Sequence, residues 1–154
     1  MNFFDKSIVF AATGFGVGHS KVAPGTLGSL VGIPFAFLLS SSSLSQASKA
    51  ALLLLLLACF FLITARAEKI LATHDDQRIV IDEVAGQMVT LVFFDPTFVN
   101  VIFGFFLFRL FDIWKPGPIG YIDERLPGAW GTFFDDIAAG GFACAVLYFI
   151  QGSF

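Results

Sequence analysis

The segment AALLLLLLACFFLITA, residues 50–65, runs without a charged residue and decides how the rest of the chain is interpreted. Its block of leucines has neither the alternation of a half-buried strand nor the polar face of an amphipathic helix in a soluble domain. A run of this composition is typical of a membrane span, for which about 20 apolar residues are needed. The segment therefore predicts a membrane helix over about residues 48–67.

The whole chain shares the character of this segment. Of its 154 residues, 56% are hydrophobic and 14% are charged, and the mean hydropathy is +0.82. Soluble domains are nearer half apolar and a quarter charged. The 21 Phe and 15 Gly fit a membrane protein, because glycine is frequent where membrane helices meet closely. The net charge of -3 and the lack of a long basic stretch argue against a nucleic-acid partner.

Other apolar segments accompany the first one along the chain. They predict further helices over about residues 26–39, 84–95, 97–115 and 133–150. Prolines are expected to kink the first of these and to end the second and third. Several are too short for a full crossing. We therefore expect an all-α, compact integral-membrane bundle of four to five short helices, formed by a single domain over residues 1–154.

Threading these helices back and forth across a bilayer sorts the charged residues. One face receives Lys21, Arg66, Lys69, Arg78, Lys115 and Arg125, with Arg109 just inside it. The other face receives Lys49 and Asp95. Because Lys and Arg are enriched on the cytoplasmic side of membrane proteins, the crowded face is predicted to be cytoplasmic.

Acidic residues converge on the same predicted face in three clusters. They are Asp82 with Glu83 before one helix, Asp112 near the end of another, and Asp135 with Asp136 at the start of the last. Hard cations such as Mg²⁺ prefer oxygen ligands, usually carboxylates together with substrate phosphate. Carboxylates alone would repel a phosphate dianion, and a bound cation reverses that repulsion while polarising a phosphoryl oxygen. The clusters therefore suit metal-assisted phosphate chemistry.

Helix capping is the alternative role for two of these clusters. Acids complement the macrodipole at a helix N-terminus, and Thr132 with Asp135 resembles a capping box. Asp112 lies near a helix C-terminus, where the dipole disfavours an acid, so it needs a partner such as Arg109 or Lys115 at helical spacing. A charged Arg109 among phenylalanines and leucines is costly in a membrane and indicates a function. Arg109 and Lys115 are candidates to hold a substrate phosphate.

A glycine-rich segment, TGFGVGHS at residues 13–20, leads through a Pro-Gly-Thr sequence into a predicted helix. Such turns before helices can bind phosphate through backbone N–H groups, which makes Gly25 and Thr26 candidates for that role. The segment matches neither a Walker A loop nor the dinucleotide fingerprint, and an ordinary interfacial turn is the alternative. His19 and His74 are interpreted as polar loop residues.

Other phosphatase chemistries lack their motifs in this chain. A cysteine nucleophile would need Cys-x5-Arg, but Arg66 lies one residue too far from Cys59. The chain has no Asp-x-Asp pair for an aspartyl-phosphate mechanism and no Arg-Pro for a haloperoxidase-like lipid phosphatase. Metal-assisted hydrolysis is the chemistry that these absences leave.

Four sequence blocks, in this order, resemble those of the phosphatidylglycerophosphatase A family and cover most of residues 13–140. The blocks are GFG at 14–16 with APGTLGS at 23–29, HD at 74–75 with IVIDEVAG at 79–86, FRLFDIWKP at 108–116 with Asp123, and Gly131 with DDIAAG at 135–140. Any one block would be weak, whereas their combination is highly specific.

The resemblance implies Mg²⁺-dependent hydrolysis of phosphatidylglycerophosphate to phosphatidylglycerol and phosphate, at the bacterial inner membrane with the site facing the cytoplasm. The resemblance implies a site made of Asp82, Glu83, Asp112, Asp123, Asp135 and Asp136 with Arg109 and Lys115. Within it we expect Asp82, Glu83, Asp112 and Asp123 as catalytic groups and Asp82, Asp112, Asp135 and Asp136 as metal ligands. Arg109, Lys115, Gly25 and Thr26 are the expected phosphate-binding groups. Glu83 is expected to orient the attacking water. The expected partners are the lipid substrate and the bilayer, and no protein partner can be inferred.

Two other functions compete with this interpretation. A CDP-alcohol phosphotransferase would need an Asp-Gly-x2-Ala-Arg motif, which the chain lacks. A small membrane transporter using intramembrane Arg109 and Asp112 is the alternative function. Charges clustered at one face, rather than at mid-membrane, favour the enzyme.

Overall fold

The computed structural model describes residues 1–73 and 76–151, and all the regular secondary structure in that range is helical. The elements are α1 Phe3–Ala12, a 3-10 turn Val17–His19, α2 Pro24–Ser40, α3 Gln46–Leu71, α4 Ile81–Leu91, α5 Phe98–Trp114, α6 Pro118–Arg125 and α7 Ala129–Gln151. The all-α class is confirmed. The predicted count of four to five helices is wrong, because the described residues form seven α-helices.

The two additional helices, α1 and α6, are too short to give the signal of a membrane span. In α1, the Asn2 side chain caps the helix by accepting a hydrogen bond from the Asp5 N–H at 2.7 Å. In α6, Pro118 occupies the first turn, where its missing N–H costs nothing. Asp123, which lies between the predicted helices at residues 97–115 and 133–150, belongs to α6.

The start of α7 also differs from the prediction. The helix begins at Ala129, more than a turn before Asp135, so the prediction that Asp135 and Asp136 open it is wrong. The capping box of Thr132 and Asp135 is wrong for the same reason. The N–H of Ala129 instead donates to the Glu68 carboxylate of α3 at 2.9 Å. This cap comes from a distant part of the chain, which a local pattern cannot indicate.

Helix α4 lies at the centre of the bundle, with α2 and α7 as its most extensive neighbours. Glycines permit both contacts. A Cβ atom on Gly32 of α2 would lie 2.7 Å from the Val84 carbonyl oxygen, and one on Gly140 of α7 would overlap the Gly86 carbonyl oxygen. Thr90 of α4 also donates to the Gly140 carbonyl at 3.3 Å. Close crossings through small residues are typical of helix pairs in membranes.

Helices α3 and α7 are long and apolar enough to cross a membrane by length and composition. In the most apolar window of α3, only 17% of the residues are buried. Leu54, Leu55 and Leu62 are among the exposed side chains of this helix. The inward-facing residues of α2, α3 and α4 form the main apolar core, which includes Ala36, Leu53, Met88 and Leu91.

The helix directions give the bundle two chemically different ends. At one end, the starts of α2, α4 and α7 meet the C-terminal turns of α3 and α5. We call this the acidic end, because it carries Asp82, Glu83, Asp112, Asp135 and Asp136. At the other end the start of α3 meets the α4–α5 connection and the last turn of α7, and we call this the opposite end; it carries Gln46, Asp95, Asn100 and Gln151.

Candidate active site

A cavity of about 540 Å³ opens at the acidic end, and we call it the polar cavity. The predicted site residues that line it are Gly25, Thr26, Asp82, Glu83, Arg109, Lys115, Asp135 and Asp136. Two predicted residues, Asp112 and Asp123, do not line the cavity, but each contacts a cation that does. Residues that are far apart in the sequence thus meet in one place.

Three carboxylates, those of Asp82, Glu83 and Asp136, form a triad in which one oxygen from each residue lies within 4.8 Å of the others. The close crossing of α4 and α7 explains this proximity. Asp82 precedes Gly86 by one turn and Asp136 precedes Gly140 by one turn, so the glycine contact also brings the two acids together. Asp82 and Asp136 are 7% and 4% exposed. Burying like charges side by side is costly unless a cation compensates them.

The triad fits a hard divalent cation. Oxygen atoms of Glu83 (Oε2) and Asp136 (Oδ1) are buried and have no hydrogen-bond partner among the described residues. Buried polar atoms normally have partners, so these two oxygens are available as ligands. Two oxygen ligands of one Mg²⁺ lie up to about 4.2 Å apart, which is close to the spacing of the triad.

Arg109 of α5 lies beside the triad and is held by two neighbours. Its Nη1 atom is 2.5 Å from Asp112 Oδ2 and 3.3 Å from Ser29 Oγ. Ser29 is buried and donates in turn to the Gly25 carbonyl at 2.9 Å. The carboxylate of Asp112 also lies close enough to that of Asp136 for the two like charges to repel each other. The ion pair with Arg109 compensates Asp112 at a helix end where the dipole disfavours an acid.

Lys115 ends α5 in a left-handed conformation with a φ of 47°. Its Nζ atom lies 2.5 Å from Asp135 Oδ2 and 3.0 Å from Asp123 Oδ2. Burial alone would lower the pKa of Lys115, but the two carboxylates raise it above its ordinary range. The charged lysine therefore joins the end of α5 to α6 and α7, and its ion pairs are with these acids rather than with Asp112.

Gly25 brings the first turn of α2 against the triad. A Cβ atom at this position would overlap Glu83 Oε1, so a larger residue would displace that carboxylate. Pro24 occupies the first turn of the helix, and no side chain among the described residues caps it. The N–H groups of a first helical turn lack intrahelical partners and favour anions. The phosphate-binding role of Gly25 and Thr26 stays a prediction.

Several residues of the polar cavity were missed by the sequence-based interpretation. Thr64 and Glu68 come from the end of α3, and Asp76 comes from the loop before α4. Asp76 pairs with Arg78 at 2.6 Å, and this contact lowers the pKa of Asp76. Glu68 could have been found from the sequence, because it is an acid near the end of α3 that the threading assigns to the predicted cytoplasmic face.

The remaining predicted polar residues lie elsewhere. His74 and Asp75, which belong to the second sequence block, lie outside the described residues. His19 lies in the 3-10 turn and lines a separate, mainly apolar cleft. Asp95 lines a cavity at the opposite end, and its carbonyl accepts a hydrogen bond from Asn100 Nδ2 at 2.9 Å.

Comparison with known proteins agrees with the sequence blocks. The family model described as Phosphatidylglycerophosphatase A matches residues 10–151. Phosphatidylglycerophosphatase A of Escherichia coli (strain K12) is 38% identical over 141 residues, which cover 90% of this chain and 80% of that protein. Phosphatidylglycerophosphatase A of Haemophilus influenzae is 37% identical over 141 residues, which cover 91% of this chain and 86% of that protein. No solved structure matches the chain.

Proposed function

This chain belongs to the phosphatidylglycerophosphatase A family, and we propose that it hydrolyses phosphatidylglycerophosphate with Mg²⁺ held by Asp82, Glu83 and Asp136. Family membership makes it a phosphatase that converts this lipid to phosphatidylglycerol and phosphate. The observation that carries the metal proposal is the buried triad, in which two oxygens have no partner among the described residues. A bound Mg²⁺ would offset the charge of the triad and polarise a phosphoryl oxygen.

Arg109 is the proposed main contact of the substrate phosphate. One of its nitrogens, Nη1, is engaged by Asp112, while its Nε is buried without a partner among the described residues. A guanidinium donor of this kind suits a phosphate oxygen. The first-turn N–H groups at Gly25 and Thr26 and the ammonium of Lys115 are proposed to hold the other phosphate oxygens.

Glu83 is proposed to orient the attacking water as well as to bind the cation. Its carboxylate has two oxygens, so that one can bind the cation while the other accepts a proton when water attacks phosphorus. The bond from phosphorus to the glycerol oxygen then breaks, the departing glycerol oxygen takes up a proton from solvent water, and Glu83 returns its own proton to the solvent. The products are phosphatidylglycerol and inorganic phosphate.

The other predicted acids are proposed to act through neighbouring cations. Asp112 holds Arg109, while Asp135 and Asp123 hold Lys115. Asp112 and Asp135 were expected to bind the metal directly. Because each already forms an ion pair, we assign them to positioning the two phosphate-binding residues.

The transporter alternative is not adopted. It depended on intramembrane charges in Arg109 and Asp112 that had no other explanation. The two residues form an ion pair beside the carboxylate triad at the acidic end. Their arrangement therefore suits a phosphate-binding site.

We propose that the protein lies in the bacterial inner membrane with its acidic end at the cytoplasmic face. The support is the mostly unburied, leucine-rich surface of α3, which is unlike the core helix of a soluble protein. The excess of Lys and Arg predicted for the same side as the acids agrees with a cytoplasmic orientation. Reporter fusions at Gln46 and after Gln151 should read periplasmic, and one at Gly120 should read cytoplasmic. A cytoplasmic signal at Gln46 would contradict this orientation.

The metal proposal is tested with purified protein in detergent micelles that contain phosphatidylglycerophosphate. Phosphate release should stop in excess chelator and return when Mg²⁺ is added. Full turnover in chelator would contradict the metal site. Absence of phosphate release under every condition would instead contradict the assigned substrate.

A further inference from the structure

A second cavity adjoins the polar cavity on the outer side of α5, and we call it the α5 groove. It measures about 570 Å³. Its lining consists of the apolar side chains Phe105, Phe106, Leu110, Ile113 and Trp114 together with Thr26 and Arg109. Thr26, Arg109 and Ile113 also line the polar cavity. The two cavities therefore share a wall, one side of which is polar and the other apolar.

The apolar side chains of the groove follow one face of the helix. Phe106, Leu110 and Ile113 are separated by four and three residues, so they lie along the same stripe of α5. They are 64%, 53% and 71% exposed, which means that the described part of the chain leaves this stripe largely uncovered. A contiguous apolar stripe of this kind indicates an apolar partner.

The substrate that follows from the proposed function is an amphiphile, so its two parts need different surroundings. Its phosphomonoester must reach the carboxylate triad, while its acyl chains are excluded from a cavity lined by charged groups. We infer that the α5 groove binds an acyl chain of the lipid substrate, which enters it across the wall that the groove shares with the polar cavity. This inference rests on the proposed function.

The shared wall distinguishes the groove from another apolar surface of the molecule. A cleft between the 3-10 turn and α2 is lined by Val17, Leu27, Leu30 and Pro34 and is also mainly apolar. None of its lining residues lines the polar cavity. A chain bound in that cleft would not be directed toward the triad, whereas a chain in the α5 groove would.

The first test fills the groove by the substitution Leu110→Trp. Its matched control is Leu62→Trp, which makes the same change at a similarly exposed leucine of α3, a helix that contributes no residue to the lining of the groove. Phosphate release is measured for each variant with dioleoyl and with dibutanoyl phosphatidylglycerophosphate in micelles of the same detergent. Because an apolar pocket discriminates by about 10-fold or more, Leu110→Trp should lower kcat/KM for the dioleoyl substrate by about 10-fold. The dibutanoyl substrate and the Leu62→Trp variant should be unaffected.

Three outcomes would overturn the inference. Equal losses for the two substrates would show that Leu110 supports the headgroup site instead. If Leu110→Trp and Leu62→Trp had the same kcat/KM for the dioleoyl substrate, the groove would be ordinary surface that the bilayer covers. A change in oligomeric state on Leu110→Trp alone, with unchanged chain-length preference, would assign the stripe to a second copy of the chain. If the unaltered protein released no phosphate from either substrate, the proposed function would fail and not the groove alone.

A second measurement uses the unaltered protein and so does not depend on the folding of a variant. A phosphatidylglycerol with a photoactivatable diazirine in one acyl chain is cross-linked to the protein, and the labelled residues are mapped by mass spectrometry. Labelling of residues 105–114 should fall when unlabelled long-chain substrate is added, while labelling of α3 should persist. Labelling of both helices that is equally insensitive to the substrate would contradict a substrate-binding groove.

Discussion

The acidic end and the opposite end of the bundle use their polar residues in contrasting ways. At the opposite end, polar side chains satisfy the backbone. Ser45 caps α3, Thr97 caps α5, and Lys49 donates to the carbonyl of Ser40. Asn100 donates to the Asp95 carbonyl and accepts from Gln151. These contacts close the ends of helices and connections and require nothing from outside the chain.

At the acidic end, by contrast, several buried polar atoms lack a partner among the described residues. They belong to Glu83, Arg109, Thr132 and Asp136. Unsatisfied buried groups are rare in folded proteins and call for a ligand, an ion or water. Fold and function are therefore separated along the same helices, because α7 contributes Asp136 to the acidic end and Gln151 to the opposite end.

The largest loss of activity should come from removing one carboxylate charge at the acidic end. Asp136→Asn keeps the size of the side chain but removes a proposed metal ligand. It should lower phosphatidylglycerophosphate hydrolysis by about 1000-fold, because metal stabilisation of a phosphoryl transition state is worth several kcal/mol. Phosphate release from purified protein measures the effect, and elution as a folded species in detergent checks the fold.

Asp95→Asn is the matched control at the opposite end. It makes the same chemical change beside a helix boundary, yet its side chain lines a different cavity. Its activity should stay within a few fold of that of the unaltered protein. A loss of activity in Asp95→Asn that equals the loss in Asp136→Asn would remove the distinction between the ends.

A smaller loss of activity should follow when α4 and α7 are pushed apart by a substitution that leaves every charged residue in place. A Cβ atom at Gly140 would overlap the Gly86 carbonyl oxygen, whereas one at Gly141 would meet nothing within 4 Å. Gly140→Ala should therefore move Asp136 relative to Asp82 and lower activity by about 100-fold, since misplacement by 1 Å has an effect of that size. The same overpacking should lower the free energy of unfolding by about 1–3 kcal/mol.

The adjacent substitution Gly141→Ala serves as the control. It should leave both activity and thermal midpoint unchanged or slightly improved, because alanine is the better helix former. Equal effects of the two substitutions on activity would show that the close crossing does not position the carboxylates.

The smallest effect, a loss of stability without a loss of activity, should come from a substitution at the opposite end. Asn100→Leu removes the hydrogen bond to the Asp95 carbonyl and should lower the free energy of unfolding by about 1 kcal/mol. Activity should be unaffected at a temperature well below the unfolding midpoint. Thermal unfolding in detergent and phosphate release measure the two quantities. A selective loss of activity with unchanged stability would show that the opposite end also takes part in catalysis.

The sequence predicted the features that depend on composition or on helical spacing. The apolar run at residues 50–65 lies in α3, and Asp112 has Arg109 as its partner three residues before it. The gathering of acids at one end also followed from the helix directions. These features are local, or they depend only on the order of apolar segments along the chain.

The features that were not predicted depend on contacts between distant parts of the chain. The start of α7 is fixed by Glu68 of α3, and the partners of Lys115 come from α6 and α7. The grouping of Glu83 with Asp82 and Asp136 likewise depends on how closely α4 and α7 cross. Spacing within one helix contains no information about these distances.

Binding of a divalent cation to the triad at the acidic end can be measured in the absence of substrate. Mn²⁺ accepts the same oxygen ligands as Mg²⁺ and can be followed by electron paramagnetic resonance. Titration into the detergent-solubilised protein should show equal affinity for the unaltered chain and Asp95→Asn, and an affinity at least about 10-fold lower for Asp136→Asn. Equal binding by all three proteins, or no binding by the unaltered chain, would show that the triad does not hold a divalent cation.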